Sequence, residues 1–222
     1  MKPLAFGTVV VFSAAITATA VTALVMHYRP RQGAAPANPP AARELDVLYD
    51  APAFSLIDQD GTPFSSETLK DKVWLADFIF TRCAGPCPIM TDHLRDVQKA
   101  LGNAGVQLIS FSLDPANDTP AVLKDYAKTY AADESTWRLL TGDAQAIYHV
   151  AKGLKMGAIP ASGAQGIEHD THFVLVDQAG KVRGYYSGQD DEGWKKAAED
   201  AANLSKGSGI PPSPSPAGRG PG

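Results

Sequence analysis

The run Asp77-Phe78-Ile79-Phe80-Thr81-Arg82-Cys83-Ala84-Gly85-Pro86-Cys87-Pro88 holds both cysteines of the 222-residue chain, at the point where an apolar strand-like run gives way to a helix-like one. A thiol at such a junction faces the N-terminus of a helix. The positive end of the helix dipole and the unpaired N–H groups there stabilise a thiolate, the form that attacks disulfides and binds soft metals. The Cys-x-x-x-Cys spacing in this setting points to redox or soft-metal chemistry. A purely structural disulfide is the alternative, although a loop so short constrains little of the unfolded chain.

The flanking periodicity predicts a mixed α/β chain. Phe54 to Ile57 followed by Asp60-Gly61 reads as a strand and a hairpin turn. Val73 to Phe80 and Val106 to Leu113 are nearly continuous apolar runs, as expected of strands buried on both faces. Between them Met90, Leu94, Val97 and Leu101 recur at helical spacing, with Gly102 placed to end the helix. Thr119-Pro120 is an N-cap and first-turn pair for a helix through Tyr130. Trp137 to Leu140 then reads as a strand and Asp143 to Lys152 as a helix. His172 to Asp177 and Val182 to Ser187 form a hairpin turned at Ala179-Gly180, and Glu192 to Leu204 closes as a helix. A βαβα start finished by an antiparallel hairpin and a helix is the thioredoxin-like arrangement, here with an extra N-terminal hairpin and an insertion.

The two ends differ from this middle. No charged residue occurs from Leu4 to Met26, long enough for one transmembrane helix, so residues 1–26 are expected to anchor the chain in a membrane. A cleaved signal peptide is the competing reading, since Ala18-Thr19-Ala20 resembles a cleavage site, but the apolar run continues past it. Lys2 on one side and Arg29 and Arg31 on the other leave the orientation nearly undetermined by charge. Residues 27–46 are Pro/Ala-rich and read as an extended tether, 47–204 as the folded domain, and 205–222, rich in Gly, Pro and Ser, as a disordered tail. The formal net charge of −4 gives no basic footprint for nucleic acid.

In an α/β sheet, sites gather at the carboxyl ends of the parallel strands. Three segments are expected there: the Cys83/Cys87 loop, Asp114-Pro115, and Glu168-His169-Asp170-Thr171-His172. Two thiolates and an imidazole make a soft ligand set suited to Cu(I) or zinc. A closed zinc site normally takes four ligands, and no fourth donor is evident, so an open three-ligand site that accepts and releases metal fits better. Met90, His93 and His149 read as packing or surface residues, and Asp118 as helping to cap the following helix.

Three runs in order resemble the signatures of the Sco/SenC copper chaperones, over roughly Ala51 to Leu204: Asp77 to Pro88, Ser112-Leu113-Asp114-Pro115-Ala116-Asn117-Asp118-Thr119-Pro120, and His169 to Gly180. By that resemblance Cys83, Cys87 and His169 bind copper, as Cu(I) or Cu(II), and Asp114 flanks the site. Counting back from Gly180 assigns the ligand to His169, which leaves His172 as a solvent-facing strand-edge residue. The resemblance further implies a protein anchored in the cytoplasmic membrane by one helix, with its domain on the periplasmic side. It would deliver copper to the copper A-bearing subunit of cytochrome c oxidase, with another periplasmic copper chaperone or a thiol reductant as a further partner. Asp77, six residues before Cys83, matches the offset of the buried acid in thioredoxins and reads equally as an acid that exchanges a proton near the cysteine pair or as a hydrogen-bonded structural or edge-facing Asp. The alternative function is a membrane-anchored thiol–disulfide oxidoreductase in which Cys83 attacks and Cys87 resolves.

Overall fold

The computed structural model describes residues 45–159 and 168–207. The expected anchor at 1–26 lies outside the described residues, as do all but the last two residues of the tether and the tail from 208. Among the described residues no helix is long and apolar enough to cross a membrane.

Among the described residues ten strands and four helices follow one another. They are β1 (Tyr49–Asp50), β2 (Ser55–Asp58), β3 (Pro63–Ser65), β4 (Trp74–Ile79), α1 (Cys87–Leu101), β5 (Gln107–Ser112), α2 (Pro120–Thr129), β6 (Trp137–Thr141), α3 (Ala144–Gly153), β7 (Ala158–Ile159), β8 (Glu168–His169), β9 (His172–Val176), β10 (Lys181–Ser187) and α4 (Asp191–Lys206). A 3-10 turn, Ser66–Leu69, links β3 to β4. Eight strands make one sheet in the order β1-β10-β9-β4-β5-β6-β2-β3, and β7 pairs with β8 as a separate unit. The centre β4-β5-β6 is parallel, β9 and β10 continue it antiparallel, and the β2–β3 hairpin joins β6 antiparallel. This is the thioredoxin-like α/β arrangement with the added N-terminal hairpin that the sequence pattern predicts.

Side chains alternate across a strand, so β4 feeds two cores. Leu75 and Ile79 point to the face covered by α1, α2 and α4, where Met90, Leu94, Val97, Leu123, Ala197 and Ala201 are buried. Trp74, Ala76 and Phe78 point to the opposite face, where α3 supplies Ile147 and Val150. Asp77, between Leu75 and Ile79, is therefore turned toward the face that α1 covers.

Local chemistry sets the boundaries. The Thr119 side chain accepts from Val122 N at 3.4 Å and Pro120 opens α2. Asp143 caps α3 by accepting from Ala146 N at 2.9 Å. The β2–β3 turn runs through Gly61 at φ 76°, with Asp58 Oδ1 accepting from the Asp60 and Thr62 amides at 3.0 and 2.9 Å. The β9–β10 turn repeats the device, Asp177 Oδ1 accepting from Ala179 N and Lys181 N, both at 2.9 Å. Leu45 is already buried in the first core, and its carbonyl accepts from the Arg183 guanidinium, which also binds Asp177 at 2.7 Å.

The start of α4 fits closely under the end of β10. Asp190 caps the helix by accepting from Gly193 N at 2.7 Å, and a Cβ on Gly193 would lie 2.2 Å from the Ser187 carbonyl oxygen. Backbone on both sides leaves no flexible atom to yield. Gly193→Ala is expected to lower stability by about 2 kcal/mol or more, seen as a fall of several degrees in the thermal midpoint by circular dichroism. An unchanged midpoint would contradict this packing.

Candidate metal centre

Cys87 is the first residue of α1 and has no exposed surface, whereas Cys83, in the loop before it, is half-buried. The chain turns into this loop through the Cys83 amide, which donates to the Phe80 carbonyl at 3.1 Å. The two cysteines are not joined by a disulfide. A helix N-terminus is expected to depress a thiol pKa, but Cys87 behaves otherwise: burial pushes it up, the adjacent Cys83 reinforces the shift, and the Asp77 charge adds to it. Desolvation outweighs the dipole here. Cys83 is the accessible sulfur of the pair.

The loop before Cys83 is held by two carboxylates from the β5–α2 connection. Asp118 has no exposed surface and accepts from Thr81 N at 3.1 Å, Thr81 Oγ1 at 2.5 Å and Ser112 Oγ at 2.5 Å. Asp114 accepts from Arg82 Nε at 3.2 Å, Arg82 Nη2 at 2.7 Å and Asn117 Nδ2 at 2.7 Å. Asp114 thus lies beside the site, engaged with Arg82. Asp118 is not the helix cap the sequence suggests, because Thr119 has that role. Its true partner, Thr81, is 37 residues away in the chain, and no local pattern points to it.

The third segment arrives at the same end of the sheet. β9 runs antiparallel to β4, with Ala76 opposite Val174 and Trp74 opposite Val176, so the start of β9 lies by the end of β4 from which the cysteine loop departs. Just before β9, His169 in β8 pairs with Ala158 in β7. The Asp170 amide donates to the Gly157 carbonyl at 2.8 Å, and the Gly188 amide donates to the Thr171 carbonyl at 2.8 Å. His172 is half-exposed and its Nδ1 pairs with the Asp170 carboxylate. Among the described residues no group of three or more His, Cys, Asp and Glu side chains surrounds one point.

The other candidates pack as expected. Met90 is fully buried in the core. His93 stacks on Trp194 with ring centroids 6.2 Å apart, and its Nδ1 lies 2.8 Å from the Gly188 carbonyl oxygen. His149 is exposed on α3.

Asp77 is fully buried, and neither carboxylate oxygen has a hydrogen-bond partner. Ser110, its register neighbour on β5, accepts instead from Trp137 Nε1 at 2.9 Å. Burial raises the Asp77 pKa from 3.8 to about 7.

The SCO1/SenC family profile matches residues 46–205, spanning all three segments of this site. The chain belongs to the SCO1/SenC family. It is similar to a SCO1/SenC family lipoprotein of Bacillus anthracis, 36% identical with a TM-score of 0.68, over 74% of this chain and 99% of that one. It is 38% identical to BsSco, a member of the Sco family of cytochrome c oxidase assembly proteins in which a disulfide switch was identified, with a TM-score of 0.66 over 73% of this chain and 98% of that one. ScoI of Bradyrhizobium japonicum, solved with copper bound, is 26% identical with a TM-score of 0.59, over 70% of this chain and 99% of that one.

Two outcomes follow for this Sco domain. An acid with a raised folded-state pKa favours the protonated folded form, so the stability that Asp77 contributes is greatest below about pH 4, falls as pH rises and levels off above about pH 7. Relative to wild type, Asp77→Asn should gain on the order of a few kcal/mol between pH 4 and pH 8, measured by urea unfolding of the reduced, copper-free chain. A pH-independent difference would mean that Asp77 is not buried as an acid. Asp118→Ala leaves two half-buried donors at Thr81 and a buried one at Ser112 without this acceptor, and should cost about 2–4 kcal/mol in the same assay.

Proposed function

We propose that this chain is a copper metallochaperone that binds copper through Cys83, Cys87 and His169 and delivers it to the copper A centre of cytochrome c oxidase. The observation that carries the reading is the unbridged cysteine pair at the start of α1, at the sheet end that the His169 segment also approaches, in a chain 26% identical to a ScoI solved with copper bound. Copper is cargo in this scheme. Two thiolates and an imidazole suit Cu(I) and tolerate Cu(II), and three ligands leave the ion reachable by an acceptor. Cys83, the more accessible sulfur, is the point of entry and exit. Cys87 must lose its proton as metal binds, and the nearby Asp77, with a pKa of about 7, is suited to take it. The same reading has residues 1–26 hold the domain at the outer face of the cytoplasmic membrane, with the copper A-bearing subunit as acceptor. Another periplasmic copper chaperone or a thiol reductant would act upstream.

A second reading is favoured by the unequal burial of the two sulfurs. In a thiol–disulfide oxidoreductase, the Cys83 thiolate attacks one sulfur of a partner disulfide, and the other partner sulfur leaves as a thiolate. Cys87, its proton passed to Asp77, then attacks Cys83 Sγ and releases the partner's first sulfur. The Cys83–Cys87 disulfide forms and the partner gains two electrons. His169 has no part in that sequence.

The two readings separate at His169. The reduced chain should bind one copper and the oxidised chain none, because a disulfide removes both thiolates together. His169→Ala should weaken copper binding at least tenfold, while His172→Ala, His93→Ala and His149→Ala leave it within about threefold. In cells His169→Ala should abolish copper loading of the oxidase, yet keep disulfide exchange in vitro within about an order of magnitude. Wild-type loading in His169→Ala, together with loss in Cys83→Ser, would replace the delivery reading with the reductase one.

A further inference from the structure

The hairpin that carries His169 rises from a helix end of unusual construction. Helix α3 closes with the Met156 amide donating to the Ala151 carbonyl at 2.9 Å and the Lys155 amide donating to the Lys152 carbonyl at 3.1 Å, a Schellman pattern. That pattern calls for a left-handed residue, usually Gly, yet Lys155 occupies it at φ 52°. A non-Gly residue there costs about 1 kcal/mol. Its ammonium lies 4.0 Å from the centre of the Tyr49 ring, a cation–π contact that offsets the strain. The helix-terminal carbonyl of Leu154, outside the Schellman bonds, accepts from two phenols, Tyr49 Oη at 3.0 Å and Tyr185 Oη at 2.8 Å. The two hydroxyl oxygens also contact each other. Leu154 and Met156 are buried in the second core, so the turn is fixed from inside and outside.

Three residues past Lys155 the chain enters β7, where Ala158 pairs with His169, and the intervening Gly157 carbonyl accepts from the Asp170 amide at 2.8 Å. Among the described residues this short ladder joins the clamped turn to β8. Tyr49 comes from β1 and Tyr185 from β10, so the base of the hairpin is referenced to the main sheet. Two hydroxyls on one carbonyl exceed what ending a helix requires, since most helix-terminal carbonyls are left to water or a single donor.

We propose that Tyr49 and Tyr185 are positioning residues that, by clamping the Leu154 carbonyl at the base of the β7–β8 hairpin, set where His169 is held relative to the cysteine pair. The inference rests on the reading of His169 as a copper ligand. Removing the two hydroxyls leaves both rings, the Lys155 contact and the cysteine loop in place. It frees the hairpin base to shift.

The test is a double-mutant cycle on the full-length reduced chain in detergent, titrated with Cu(I) against a chromophoric chelator and with Cu(II) by the visible thiolate-to-copper absorption. Tyr49→Phe with Tyr185→Phe should weaken copper binding about tenfold and shift the Cu(II) band, with no change in the rate of Cys83 alkylation. In a His169→Ala background the same two substitutions should change neither affinity nor spectrum. Equal weakening in both backgrounds, or none in either, overturns the clamp. If His169→Ala alone leaves affinity and spectrum unchanged, the ligand assignment itself fails and the clamp falls with it. Should the double variant not fold, Tyr185→Phe alone carries the comparison, with an expected loss of about threefold.

Discussion

The hydrogen bonds from Thr81 and Ser112 to the buried carboxylate of Asp118 are the constraint on which the site depends. They join the ends of two parallel strands, β4 and β5, at the level where the sheet stops and the loops begin. Thr81 is two residues from Cys83, so the accessible sulfur departs from a point fixed by a charge that has no water around it. Asp114 repeats the device one residue nearer, on Arg82, with weaker isolation because the Arg82 side chain is largely exposed. Charge-assisted bonds of this kind are short and directional, which suits a loop that must present a thiol without a disulfide to brace it.

Behind that loop the environment changes from polar to apolar within one helical turn. Cys87, Met90 and Leu94 are fully buried along α1. Asp77 is buried on the same face with no donor to satisfy it. Such an orphan acid lowers stability at neutral pH, and a fold optimised for stability alone would have another apolar residue between Leu75 and Ile79. The proposed role as proton acceptor for Cys87 would give the residue a reason to be there. The half-buried sulfur in front, the buried one behind it and the acid deeper still form a gradient of access to water that serves either metal exchange or disulfide exchange.

Much of this was legible in the sequence because long elements announce themselves. The apolar runs of β4 and β5, the helical repeat of Met90, Leu94, Val97 and Leu101, and the Thr119-Pro120 start of α2 all appear where periodicity and capping chemistry place them. The short elements do not. β1, β7 and β8 have two residues each, too few to show any period. Asp118 was misassigned because a polar residue beside a helix start looks like a cap, whereas its partner is reached only through the fold. The depressed pKa expected at the helix N-terminus failed for Cys87 because burial depth, a tertiary property, overrode a local dipole. Lys155 was invisible as a helix end for a related reason: the left-handed turn is supported by an aromatic ring from the far edge of the sheet.

The main sheet ends on one side in β1, two residues long, and on the other in β3, three residues beginning with Pro63. The terminal strands β1 and β3 are themselves too short to offer a long run of unpaired amides and carbonyls, and proline removes one donor from β3 outright. Strand addition onto β1 or β3 is thereby disfavoured. A visiting protein gains little by adding a strand to β1 or β3, and at those two ends the sheet leaves loops and side chains, which can be retuned without touching the framework, as the recognisable surface.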